Sequence, residues 1–253
     1  MTSWLAERLR EHGVWGTAAL IAARAWRDGV RPRLPPTRRM AYGGVPTAVE
    51  AKLLDRWVPE TWVPNGVHDI PDYEATLLAA IRRTVRPGDR VVVVGGGLGV
   101  TATVAALQSG PDGRVTVFEG GARGVRDVRT TARLNGVAER VEVHHAVVGA
   151  DRFVYGRRKG AIVEPDELPD CDVLELDCEG AEVEILRGLA LRPRALLIET
   201  HGLYGAPTEA VLALARGLGY RAEVAGLAEP RIPDICEAGD IRVVVAERGD
   251  GPA

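Results

Sequence analysis

Cysteine is scarce in this chain of 253 residues, and Cys171, Cys178 and Cys236 show neither a CxxC pair nor any other metal-ligand spacing. An odd count without a secretory segment reads as reduced thiols in a cytoplasmic protein. Cys178 stands beside an acidic cluster, where a packed thiol is the plainer reading than a reactive one. Long apolar runs are missing too. The longest near the start, VWGTAALIAARAW, is broken by Arg24 and is too short to span a bilayer. It also lacks a signal peptide's cleavage pattern. There is no internal repeat. A basic face is missing from the main body, because the net charge of −3 hides an asymmetry. Arginines from Arg8 to Arg39 outnumber Glu7, Glu11 and Asp28 in the first forty-one residues, leaving the remainder strongly acidic. A general nucleic-acid binder needs the opposite balance. The basic amino-terminal arm could touch a membrane surface or an acidic partner, although a solvated helix explains it as well.

What is present is a length and an apolar content of 46% that can bury one sizeable core plus an appendage. Residues 3–28 carry apolar positions at helical spacing, interrupted at Gly13 and Gly16. RPRLPPTRR, 31–39, reads as a linker, residues 48–57 as a short helix, and WVPETWVPNG as a proline-punctuated loop. Residues 1–71 are thus expected to form a helical appendage and linker, 72–248 the main domain, and 249–253 a tail. From residue 72 helices and strands alternate. Strands are expected at 90–95, 114–119, 141–148, 173–177 and 195–200, and helices at 72–85, 99–109, 121–135, 181–189 and 207–217. An irregular stretch with a possible hairpin precedes residue 173. Two last strands near 225 and 247, joined by a loop over 226–240, should pair antiparallel. The pattern predicts an α/β fold: a doubly wound, mostly parallel, Rossmann-like sheet of seven strands with an antiparallel terminal pair.

Between the first strand and its helix, VVVVGGGLGVT places Gly95, Gly97 and Gly99. Glycines there let backbone pass close to a ligand and present amides at a helix start. Glu119 ends the second strand, where a carboxylate can accept from both hydroxyls of a ribose. Together they point to an adenosine-containing cofactor. Val100 stands where the dinucleotide fingerprint requires a small residue. The G-x-G-x-G form that remains is similar to that of S-adenosylmethionine-dependent methyltransferases, as is the antiparallel closing pair.

The stretch LELDCEGAEVEILRG is more specific. It closely resembles the signature of the FkbM family of methyltransferases, in which a strand ending in Asp runs into Glu-Gly-x-Glu. RPGDRVVVVGGGLG resembles the family's first motif, VTVFEG its second-strand end, RLNGVAERVEVHHAVVG the approach to its third strand, and LLIETHG its fifth-strand ending. PDEL falls before the fourth strand as expected. The resemblance covers roughly residues 72–247. At two positions the chain departs from the pattern: Val93 stands for an Asp that helps organise the loop near the cofactor's amino-acid end, and Glu175 for a Lys.

The resemblance implies S-adenosylmethionine as cofactor, held by Gly95, Gly96, Gly97, Gly99, Glu119 and Asp177, and methyl transfer to a hydroxyl of a small molecule or saccharide. Asp177 or His201 is the candidate base, and Asp177 could instead hold the cofactor's ammonium group. Glu175 and Asp177 share a strand face. Asp177, Glu119, the glycine loop, Thr200 and His201 all lie at carboxyl ends of strands, where a crevice forms. Glu179 and Glu182 are explained equally by the dipole of a helix's first turn and by substrate binding. His144 and His145 point to opposite faces and make a poor metal pair. Glu175, Asp177 and Glu199 could in principle hold a divalent cation, but the family does not characteristically depend on one, so no metal is expected. Acceptor recognition is assigned to the appendage and residues 151–170. The alternatives are an NAD(P)-dependent oxidoreductase, which would want a proton relay such as Tyr-x-x-x-Lys that is missing here, and a non-catalytic S-adenosylmethionine-binding protein.

Overall fold

The computed structural model describes residues 2–59, 62–63, 68–149 and 160–249, with side chains from residue 13 onward. Parts of the WVPETWVPNG loop, of the expected acceptor segment (151–159) and of the tail lie outside the described residues. The chain divides into two units, Met1–Met40 with Val49–Asp69, and Ala41–Ala48 with Ile70–Ala253.

The first unit contains helix α1 (Thr2–Ala25), kinked at Gly13, followed by a π turn over Trp26–Val30 and a 3-10 turn over Arg31–Arg33. Arg31 grips Asp55 through Nε and Nη2, both at 2.9 Å, in a bidentate pair that is almost fully buried. Residues 48–57 are not helical. Strands β1 (Pro36–Tyr42) and β2 (Val45–Lys52) form a hairpin that takes in part of the expected linker, and only Asp55–Trp57 forms a short 3-10 turn. The cause is local. Gly43 and Gly44 have φ of 56° and 81°, the positive pair that a two-residue hairpin turn of matching twist requires, and Val45, Thr47 and Val49 alternate beyond it. Glycine pairs between alternating residues carry this signal more strongly than the helical spacing of a few alanines.

The hairpin tip belongs to the second unit. Tyr42 is fully buried with its ring 5.2 Å from that of Tyr73, and the Gly43 amide donates to the Ile70 carbonyl at 2.8 Å. The body is an eight-stranded sheet built from β3 (Arg90–Val94), β4 (Arg114–Glu119), β5 (Val141–Val148), β6 (Ala161–Val163), β7 (Val173–Leu176), β8 (Ala195–Glu199), β9 (Arg221–Leu227) and β10 (Arg242–Glu247). Their order is β6-β5-β4-β3-β7-β8-β10-β9. All neighbours pair parallel except β10, which runs antiparallel to both β8 and β9. Two details differ from expectation. The stretch before residue 173 contributes β6, an eighth strand at the edge, too short for a periodicity to show. The loop 226–240 contains helix α7 (Pro233–Gly239), whose seven residues bury Cys236 and Gly239.

Helices α2 (Ala75–Thr84), α3 (Val100–Ser109) and α4 (Ala122–Leu134) cover one face of the sheet, while α5 (Glu182–Gly188) and α6 (Thr208–Gly217) cover the other. Strands β7 and β8 are buried along their whole length, as parallel strands packed on two faces must be. Towards α5 and α6 they present Leu174, Leu176, Leu196 and Ile198, in one apolar cluster with Ile185, Val211 and Val244. Towards α2 and α3 the apolar run is broken by Glu175 and Glu199. Those two carboxylates lead to the site. Among the described residues no helix is long and apolar enough to cross a membrane.

Candidate functional site

The site starts where β3 turns into α3. Gly95 has a φ of 99°, and a Cβ there would fall 1.7 Å from the Asp177 carbonyl oxygen. Only glycine allows this crossing of the first strand's loop over the end of β7. The Gly95 amide donates to the Phe118 carbonyl and the Asp177 amide to the Val94 carbonyl, each at 2.9 Å. Gly96 packs on Val117 and Val128, and Gly99 ends the loop against Val128 as the residue before α3. Gly97 is exposed, and a Cβ on it would meet nothing within 4 Å. Its amide donates to Glu119 Oε2 at 2.9 Å, while Glu119 Oε1 accepts the Gly121 amide at 2.6 Å. The glycine loop, Glu119 and Asp177 therefore come together at the carboxyl ends of β3, β4 and β7.

His201 closes the other side, two residues beyond the end of β8, and is 4% exposed. Its Nδ1 lies 2.9 Å from Glu182 Oε1, which also accepts the Cys178 amide at 3.1 Å. Its Nε2 lies 3.5 Å from Asp177 Oδ1 and 3.8 Å from both Glu179 Oε2 and Glu199 Oε1. Burial works to lower the His201 pKa. The Glu182 hydrogen bond and the charges of Asp177, Glu182 and Glu179 outweigh it and hold the ring at about 9. For Asp177 burial dominates and raises the pKa to about 6; His201 opposes the rise, and Glu179, Glu182 and Glu119 add to it. Glu182 is thus more than a first-turn acid. It is 0% exposed and fixes the His201 ring.

Behind this pair lies a cluster of acids. Glu175 is 1% exposed, neither of its carboxylate oxygens has a close hydrogen-bond partner, and burial holds its pKa well above the usual range, with Asp177 and Glu74 adding to the rise and Thr101 opposing it. Glu199 is held up in the same way, by burial first and then by Asp177, Glu74, Glu175 and Glu229. Glu74, at φ 46° just before α2, is raised to about 8 by burial and the Asp177 charge. Sequence reasoning missed Glu74 and Glu229. Glu199 was visible as the charged end of an otherwise apolar strand, but Glu74 had no signal, since only the fold brings α2's start to the end of β7.

Thr200 does not join the crevice. Lying between Glu199 and His201, it faces the opposite side, where its hydroxyl lies 2.9 Å from that of Thr208, donates to the Asp240 carbonyl and accepts the Arg242 amide. The combination Glu175–Asp177–Glu199 is likewise not the one with metal-ligand spacing. Among the described residues, Asp177, Glu199 and His201 bring one ligating atom each to within 4.8 Å of one another. His144 and His145 have separate partners, Glu142 at 3.1 Å and the Gly120 carbonyl at 3.1 Å. Burial pushes the Cys178 thiol up, which keeps it neutral. Val93 and Glu175, the two departures from the FkbM pattern, are register partners on β3 and β7.

No protein-family model and no curated protein matches the sequence. Solved structures do. The precorrin-6y C5,15-methyltransferase of Geobacter metallireducens is similar at 16% identity over 71% of this chain and 90% of its own, with a TM-score of 0.51. The chain has the Rossmann-like methyltransferase fold. An S-adenosylmethionine-dependent O-methyltransferase of Thermotoga maritima is similar at 17% identity over 71% of this chain and 66% of its own, with a TM-score of 0.48. Fibrillarin of Aeropyrum pernix, solved with natively bound S-adenosylmethionine, is similar at 20% identity over 68% of this chain and 76% of its own, with a TM-score of 0.44.

Proposed function

We propose that the protein is an S-adenosylmethionine-dependent O-methyltransferase of the FkbM kind, acting in the cytoplasm on a hydroxyl of a small molecule or saccharide. One juxtaposition carries the reading: Gly95 packs on the Asp177 carbonyl while the Gly97 amide reaches Glu119, so glycine loop and both strand-end acids share a crevice. The residues present suit a cationic nucleoside. Gly97 leaves open space for backbone approach, and the surrounding side chains are acidic.

The cofactor, when bound, supplies a methyl group activated on a sulfonium. The chain's residues bind, orient and take up the proton. Glu119 keeps lone pairs beyond those used by Gly97 and Gly121 and would accept ribose hydroxyls. Asp177 would hold the ammonium group or accept a proton. In the free protein the acids keep His201 protonated, and a bound cation opposes them, freeing Nε2 to accept the acceptor's hydroxyl proton. Glu182 holds the ring for that role. The acidic body supports a small-molecule acceptor over nucleic acid.

Thermal unfolding with added ligand tests this reading. S-adenosylhomocysteine at a hundredfold excess over its Kd should stabilise by about 2.7 kcal/mol, a melting-temperature rise of about 5–10 °C. Stabilisation by NAD and none by S-adenosylhomocysteine would overturn it.

A further inference from the structure

Carboxyl groups crowd this end of the sheet. Asp177, Glu74, Glu175 and Glu229 all raise the proton affinity of Glu199, and His201 Nε2 lies 3.8 Å from its Oε1. His201 is the one basic group among those that act on Asp177. Glu199 is 8% exposed and its Oε2 has no hydrogen-bond partner. A buried carboxylate oxygen left in this state is costly unless something occupies it.

Around Glu199 three residues with ligating atoms come together. His201 Nε2 stands 3.5 Å from Asp177 Oδ1 and 3.8 Å from Glu199 Oε1. Atoms bound to a metal at about 2.1 Å lie about 3.0 Å apart in an octahedral shell and about 3.4 Å apart in a tetrahedral one. His201 would need to close on each carboxylate by up to about 0.8 Å, and the ligating atoms all lie within 4.8 Å of one another. The other ring nitrogen, Nδ1, meets Glu182 Oε1 at 2.9 Å. A carboxylate on Nδ1 leaves the lone pair on Nε2 once a bound cation displaces the ring's second proton, as for histidines that bind metals.

We propose that Asp177, Glu199 and His201 form a binding site for a first-row divalent cation, with Glu182 as the positioning residue for His201. One imidazole with two carboxylates suits Mn2+, Fe2+, Co2+ or Zn2+ better than the all-oxygen shells of Ca2+ and Mg2+. With the ion bound, His201 Nε2 is a ligand and not the proton acceptor; any use of the ion in methyl transfer rests on the reading above, and its binding does not.

Mn2+ is the probe. Chelator-treated full-length protein is titrated with MnCl2 near neutral pH, and free Mn2+ is followed by its electron paramagnetic resonance signal. One ion per chain is expected. Affinity should fall by about 10–100-fold in Glu182→Gln and at least as far in Glu199→Gln, which keeps the side chain's volume while removing its charge. Glu142→Gln, on the exposed side of β5, should bind as the parent does. A parent protein that leaves the Mn2+ free overturns the site, as do Glu199→Gln and His201→Asn variants that bind at parental affinity. Melting temperatures with S-adenosylhomocysteine, taken on the same samples, separate the two claims. Nucleoside binding without Mn2+ binding sinks the cation site alone. Mn2+ binding lost in Glu199→Gln, in a protein that ignores the nucleoside, upholds the cation site and sinks the cofactor reading.

Discussion

The two faces of the central strands obey different rules. Towards α5 and α6, β7 and β8 present Leu174, Leu176, Leu196 and Ile198, every one fully buried among other apolar groups. Towards α2 and α3 the same strands present Glu175 and Glu199, also buried but short of hydrogen bonds. The first face is built for stability. The second gives some stability up, since a desolvated carboxyl is unfavourable without a partner. The sheet therefore keeps its strained chemistry on one side, at the ends where the loops open.

The sharpest break of this contrast is at the pair Val93 and Glu175. Val93→Asp alone places a second acid beside Glu175 and should cost about 3–5 kcal/mol in urea unfolding, because it buries an uncompensated charge. Glu175→Lys alone puts an unpaired cation beside Val93 and should also destabilise. The double variant restores the residues of the FkbM pattern at facing positions, so its cost should fall below the sum of the two by about 1–3 kcal/mol. Strict additivity would show that the two departures are independent.

A comparison of opposite faces comes next in size. Ile198→Ala on the apolar face should lose about 2–5 kcal/mol through the cavity it leaves. Glu175→Leu, one strand over on the other face, should gain about 1–3 kcal/mol by removing an unsatisfied buried carboxyl. Equal losses at both positions would mean the faces are energetically alike.

The smallest expected effect is a trend with pH. Glu74, Asp177 and His201 all have folded pKa values raised above their ordinary ones, to about 8, about 6 and about 9. Each binds its proton more tightly in the folded state than in the unfolded chain. Their contribution is complete below the ordinary values and is lost as pH rises through the folded ones. The melting temperature of the metal-free protein should decline between about pH 6 and pH 9, and a flat profile would remove the acid cluster from the energetics.

Much of the second unit was legible because its signals are local. The strands at 114–119 and 141–148 appear as expected, since β-branched runs between glycine and proline turns leave few other choices. Asp177 stood out as the charge that ends an apolar strand. The short helix expected over 48–57 failed because the turn at Gly43–Gly44, not the apolar spacing, sets the local conformation. Thr200 went astray for a simpler reason: successive strand residues point to opposite faces, and its neighbours Glu199 and His201 take the crevice side. Glu182 was seen as a helix-start acid, and its hold on His201 depends on a contact nineteen residues away.

The sequence by itself determined the alternation of strands and helices, the glycine loop and the acids that end β4 and β7, because periodicity, backbone freedom and charge are properties of short segments. Tertiary structure alone decided that Val93 faces Glu175, that Glu182 holds His201, and that Glu74 and Glu229 join the acid cluster. Those relations depend on which strands become neighbours and in what register, and burial far from any one segment then sets the proton affinities that result.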